Sequence, residues 1–196
     1  QNLLSSRSRM EKIVGEICFD FETRDILRGG RGNAMLVTAD IRDACKYYEL
    51  FQNSPLKGKC GLVTSYNPQT RDGAEDMGEN TETARQFIYK TYTDLLKNVQ
   101  PQPNKTPAEV YEEQTKKLFI KEPANMRLII VVEKLLTGFD AVPCSYLYID
   151  KHMQDHGLFQ AICRTNRVAG DEDDWKDFGR IVDFKDLFRK VEHSIA

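Results

Sequence analysis

Arg127-Leu-Ile-Ile-Val-Val132 is the most apolar run in the chain. It has the length of a strand and no polar alternation, so it reads as a central strand buried on both faces. Similar short runs lie on either side of it: Ala34-Met-Leu-Val-Thr38, Lys59 to Ser65 centred on Leu62 and Val63, Ser145 to Asp150, and Gly179 to Phe184. Helical segments fall between these runs. Met10, Ile13, Val14 and Ile17 have helical spacing, which predicts a helix over Arg7–Leu27, and the glycine-rich Arg28–Asn33 follows as a turn. Asp40 is placed to cap a helix running to about Phe51. Polar helices are expected over about Thr81–Val99 and Pro107–Ile120, because Gln100-Pro-Gln-Pro-Asn104 interrupts any helix between them. A further helix is expected over His156–Val168 and a last one from about Lys185.

Strands that alternate with helices in this way imply an α/β domain, its parallel sheet covered by helices on both faces. Ligands of such sheets bind beyond the carboxyl ends of the strands, so the residues just after each strand matter most. Residues 1–30 read as an N-terminal helix and linker ahead of a domain over 31–196. Within that domain, 67–125 read as a loop and helices inserted between two core strands.

The bulk composition fits one such domain. Of 196 residues, 40% are hydrophobic and 30% charged, enough to bury a core and unlike a disordered tail. The net charge of −2 argues against a histone-like protein but leaves room for a local phosphate-binding groove. No apolar run is long enough for a transmembrane helix, and no signal-peptide pattern opens the chain. Cys18, Cys45, Cys60, Cys144 and Cys163 form no C-x-x-C pair and are mostly flanked by apolar residues. They read as small core residues in a reducing compartment. The chain opens with Gln1, which suggests a piece of a longer protein.

On a helical wheel, Leu158, Phe159 and Ile162 fall on one side of the expected helix and Gln160, Arg164 and Arg167 on the other. Two guanidiniums three residues apart make a multidentate anion receptor of the kind that stabilises charge in phosphoryl transfer. Taken alone, such a face is more often a plain solvated surface. Leu135-Leu-Thr-Gly-Phe-Asp140 follows the most apolar strand. There Gly138 permits close backbone approach to a phosphate or sugar, and Asp140 can accept from a ribose hydroxyl. A simple strand-to-loop turn explains it equally simply. Thr38 and Thr64 end strands, where their hydroxyls and the following amides can meet a nucleic-acid phosphate. Arg42, one helical turn beyond Thr38, adds charge to that edge or serves only as a surface residue. His152 and His156 lack a third metal ligand, so no metal site is expected. Asp171–Asp174 read as a solvated acidic loop. The sequence contains no G-x-x-x-x-G-K-[ST] phosphate loop, since Gly29-Gly-Arg-Gly32 lacks the lysine, and no Asp-Glu-x-x box for magnesium.

Gln160, Arg164 and Arg167 match the Q-x-x-x-R-x-x-R pattern of motif VI in superfamily 2 helicases. Leu136-Thr-Gly-Phe-Asp140 looks like motif V, and Ala34 to Ala44 is similar to the motif IV region. The runs Val131–Asp140, Leu147–Lys151, Leu158–Arg167 and Gly179–Asp183 together resemble the motor (R) subunit of type I restriction enzymes. The resemblance covers about residues 30–66 and 126–190. Pro143 comes one residue later than the usual proline after the motif V aspartate, and Cys163 replaces the usual small residue of motif VI. Neither departure removes a charged contact.

The resemblance implies the second RecA-like lobe of a two-lobe, ATP-dependent double-stranded DNA translocase, at work in the prokaryotic cytoplasm. ATP and Mg2+ would be held mainly by a first lobe, with Arg164 and Arg167 meeting the γ-phosphate and Arg167 as arginine finger. Gln160, Gly138 and Asp140 would contact the nucleotide, and Thr38, Thr64, Thr137 and Arg42 the DNA backbone. The implied partners are double-stranded DNA, the first lobe and a nuclease domain of the same chain, and methylation and specificity subunits. A lobe of another superfamily 2 helicase or remodeller is a second reading. A non-catalytic α/β module whose arginine helix docks an acidic partner is a third.

Overall fold

A computed structural model describes residues 2–68, 79–136, 138–153 and 178–185. Among them are five strands: β1 (Asn33–Thr38), β2 (Cys60–Val63), β3 (Leu128–Val131), β4 (Cys144–Asp150) and β5 (Arg180–Asp183). All pair in parallel, in the order β2-β3-β1-β4-β5. The helices are α1 (Asn2–Thr23), α2 (Asp25–Arg28), α3 (Ile41–Gln52), α4 (Glu79–Leu96) and α5 (Pro107–Lys121). This is the parallel α/β fold that the strand and helix pattern implies, and it is RecA-like, as the resemblance implies.

Side chains alternate along each strand and so build two cores. Ala34, Leu36, Leu62, Leu128, Ile130, Tyr146 and Tyr148 face one side, where Met10, Ile17 and Phe21 of α1, Tyr47 and Phe51 of α3, and Tyr92 of α4 cover them. Met35, Val37, Ile129, Val131, Leu147 and Ile149 face the other, under Phe119 of α5 and Leu135, Leu136 and Phe139 of the β3–β4 connection. The central β3 is buried along its whole length. That is why it shows no polar alternation.

The expected elements recur with shifted ends. The first helix starts earlier and is interrupted at Arg24, which takes an extended conformation (φ −84°, ψ 118°). No glycine or proline stands there, so hydrophobic spacing runs straight through the break. Asp40 caps α3, accepting from the Asp43 amide at 2.8 Å. Residues 1–30, read as helix and linker, place Met10, Ile13, Ile17, Phe21 and Leu27 in the same core as the rest.

The segment 67–125 includes a core helix as well as surface. Phe119 of α5 is fully buried, and the Tyr111 hydroxyl accepts from the Leu62 amide of edge strand β2 at 3.3 Å. The helix thereby covers an edge that would otherwise present open backbone groups. It approaches so closely that a β-carbon on Gly61 would lie 2.6 Å from Cγ2 of Thr115. Glycine at 61 is therefore a packing requirement.

Candidate functional site

The carboxyl ends of β1, β2 and β3 open onto a cleft of about 680 Å³, lined among others by Ala39, Asp40, Arg42, Ser65, Glu133 and Lys134. These are the residues that follow the strand-ending Thr38, Thr64 and Val131. Parallel strands put the amino ends of their crossover helices at this edge, where exposed amides and the helix dipole favour an anion.

Most charges around the cleft are already engaged. Lys134 Nζ lies 2.6 Å from Glu112 Oε2, and Lys151 Nζ lies 3.2 Å from Glu133 Oε1. Asp40 is occupied as the α3 cap. Arg42 is exposed and makes no side-chain hydrogen bond or ion pair among the described residues. Among the described residues lining this cleft, its guanidinium can take an anion without breaking an existing pair.

Thr38 and Thr64 sit at the predicted strand ends, but both are buried and both hydroxyls serve the fold. Thr38 Oγ1 donates to the carbonyls of Val131 at 3.1 Å and Asp40 at 3.3 Å, tying the end of β1 to that of β3. Thr64 Oγ1 lies 2.5 Å from the Tyr92 hydroxyl and accepts from the Tyr66 amide at 3.1 Å. What these threonines turn toward solvent is the backbone that follows them, exposed at Ala39 and Ser65.

The turn after β3 is held by its apolar members. Leu135, Leu136, Phe139 and Ala141 are buried in the second core, while Gly138 and Asp140 are exposed. Gly138 has φ +72° and nothing near its missing β-carbon, so backbone conformation alone selects glycine. Leu135 has φ +67°, a left-handed conformation that costs a leucine about 1–2 kcal/mol. Burial of its side chain offsets that cost and keeps the turn in one shape. Thr137, Gln160, Arg164 and Arg167 lie outside the described residues, as do Cys163, His156 and the acidic 171–174 segment.

At the end of β4 stands a residue that the sequence reading passed over. Asp150 takes both guanidinium nitrogens of Arg9, at 3.0 and 2.5 Å, and the Tyr47 hydroxyl at 2.6 Å. Lys185 Nζ is 3.5 Å away, and Arg9 also reaches the Phe184 carbonyl at 3.1 Å. Burial pushes the Asp150 carboxyl upward, but Arg9, Tyr47 and Lys185 more than offset it and leave it below the usual range. The available signal was an aspartate closing an otherwise apolar strand.

Cys18, Cys45, Cys60 and Cys144 form no disulfide and are buried, the core role expected of them. Burial pushes the Cys45 thiol up to about 12, far from a reactive thiolate. Among the described residues no three His, Cys, Asp or Glu side chains gather to hold a metal, and no helix is long and apolar enough to cross a membrane.

A five-stranded parallel sheet with its open cleft at the strand carboxyl ends defines a RecA-like α/β domain. The chain belongs to the family described as type I restriction enzyme subunit R domain 3, whose model matches residues 30–186. It is 27% identical over 172 residues to the Staphylococcus aureus type I restriction enzyme SauCOLORF180P endonuclease subunit, a match covering 86% of this chain and 18% of that protein. To the Haemophilus influenzae type I restriction enzyme HindI endonuclease subunit it is 40% identical over 81 residues, covering 41% of this chain and 8% of that protein. To the Staphylococcus saprophyticus SsaAORF53P endonuclease subunit it is 43% identical over 68 residues, covering 35% and 7%. The chain thus spans less than a fifth of the length of these relatives.

Proposed function

We propose that this chain is the second motor lobe of an ATP-dependent double-stranded DNA translocase within a type I restriction endonuclease. The supporting observation is convergence. The ends of β1 and β2 and the exposed Arg42 guanidinium, unpaired among the described residues, meet at the carboxyl edge of the sheet, and the turn that carries the exposed Gly138 and Asp140 departs from that edge at the end of β3.

In this reading Arg42 and the backbone after Thr38 and Thr64 grip DNA phosphates, with Thr137 alongside. Such contacts are blind to sequence and weaken with salt. Gly138, Asp140 and Gln160 touch the nucleotide. Arg164 and Arg167 meet its γ-phosphate, where a planar, permanently charged group stabilises the charge that develops during phosphoryl transfer. ATP and Mg2+ rest mainly on the first lobe. A nuclease domain of the same chain and methylation and specificity subunits complete the enzyme, an ATP-dependent type I site-specific deoxyribonuclease. The 196-residue chain alone is therefore expected neither to hydrolyse ATP nor to cut DNA.

The deciding experiment is Arg167→Ala in the full-length parent, with DNA-stimulated phosphate release as the readout. A loss of about 10³-fold or more is expected for an arginine finger. An unchanged rate would sink the motor reading and favour a non-catalytic binding module.

A further inference from the structure

Asp150 and Lys151 are neighbours at the end of β4, and they tie that strand to different parts of the molecule. Asp150 gathers Arg9 of α1, Tyr47 of α3 and, through Arg9 and Lys185, the segment that leaves β5. Lys151 reaches the other way. Its Nζ donates to the Val132 carbonyl at 3.3 Å and pairs with Glu133 at 3.2 Å. Val132 and Glu133 are the first residues beyond β3, at the entry to the turn that carries Gly138 and Asp140. In sequence, Lys151 is also the exit from β4 toward Gln160, Arg164 and Arg167.

A lysine stem only 18% exposed, spent on a backbone carbonyl, gives up rotamer freedom to hold that carbonyl in place. The Asp150–Arg9 pair, its carboxylate buried and its guanidinium partly exposed, returns little net stability, because desolvation of the carboxylate and solvent screening of the arginine offset most of the attraction. Its bidentate geometry does fix direction. Both residues thus look arranged for geometry more than for stability.

We infer that Asp150 and Lys151 are positioning residues: Lys151 joins Val132 and Glu133, on the cleft that holds Arg42, to the strand that feeds the arginine motif, and Asp150 fixes the end of that strand against α1 and α3, so that the DNA-facing and nucleotide-facing parts of the lobe move together. The inference rests on the motor reading above. Losing the joint should leave both sites present but poorly coordinated, with ATP turned over and less DNA moved.

The test uses the full-length parent in its complex, comparing wild type with Lys151→Met, Lys151→Arg and Asp150→Asn. Phosphate release gives kcat and KM for ATP, and displacement of a triplex-forming oligonucleotide gives the translocation rate. For Lys151→Met we expect KM within about twofold of wild type, while DNA advanced per ATP falls about threefold to tenfold. Lys151→Arg, which keeps a cationic donor, should restore most of the loss, and Asp150→Asn should reproduce it. Coupling unchanged in Lys151→Met overturns the inference and leaves the motor reading standing. A loss that follows the melting temperature and is not rescued by arginine also overturns it, as a merely structural effect. A wild-type complex without DNA-stimulated ATPase overturns the motor reading, and this inference with it.

Discussion

The two ends of the sheet are built on opposite plans. At the amino ends, side chains seal the backbone of neighbouring elements. Asn33 is fully buried and its amide donates to the carbonyls of Phe119 at 2.7 Å and Met126 at 3.2 Å. Phe119 lies in the last turn of α5, whose carbonyls have no partner within the helix. Arg127 does the same for α2, donating to the Leu27 carbonyl at 2.6 Å while its guanidinium lies over the Phe21 ring. At the carboxyl ends, by contrast, the hydroxyls of Thr38 and Thr64 turn inward, and the following residues and Arg42 face out. The difference follows from helix polarity. Crossover helices in a parallel sheet bring carbonyl-rich carboxyl ends to one edge and amide-rich amino ends to the other. The first edge must be sealed for the fold to close. The second can be left open for an anion.

If this division is right, substitutions at the two ends should separate stability from function. The largest effect on stability is expected for Asn33→Ala, which strands two carbonyls and leaves a cavity. A cost of about 2–3 kcal/mol should appear in urea unfolding of the chain. A cost near zero would mean that the amino end is not sealed in this way. Gly138→Ala should cost about 1 kcal/mol, because alanine is strained at positive φ and no neighbour obstructs it. In the full-length parent the same change should lower ATP turnover by more than that loss explains. Equal effects would make Gly138 only a turn residue. Arg42→Ala should shift stability by no more than about 0.5 kcal/mol, since it breaks no existing contact. Its signature should be weaker duplex binding, with the log–log salt slope reduced by about 1. An unchanged slope would take Arg42 out of the DNA path.

Much of the fold was legible because periodicity reports burial. The uninterrupted Leu128–Val131 run announced a strand covered on both faces, and Asp40 announced the start of α3. Spacing could not reveal that α5 belongs to the core. Its sequence is mostly polar, and only Val110, Thr115 and Phe119 are buried. The site was legible as an edge but not in its detail. Thr38 and Thr64 were rightly placed at strand ends. Yet a strand-ending hydroxyl turns inward or outward according to its neighbours, here Val131 and Tyr92, which lie far off in sequence.

The sequence by itself determined the alternation of strands and helices and the spacing of Gln160, Arg164 and Arg167. Both depend on residues within a few positions of one another. Only the tertiary structure decided that Asp150 answers Arg9 and Tyr47, 141 and 103 residues away, and that Lys151 holds the exit of β3. Those partners meet because the strands assemble in the order β2-β3-β1-β4-β5. Local hydrophobic patterning specifies which face of a strand is buried, but not which strand becomes its neighbour.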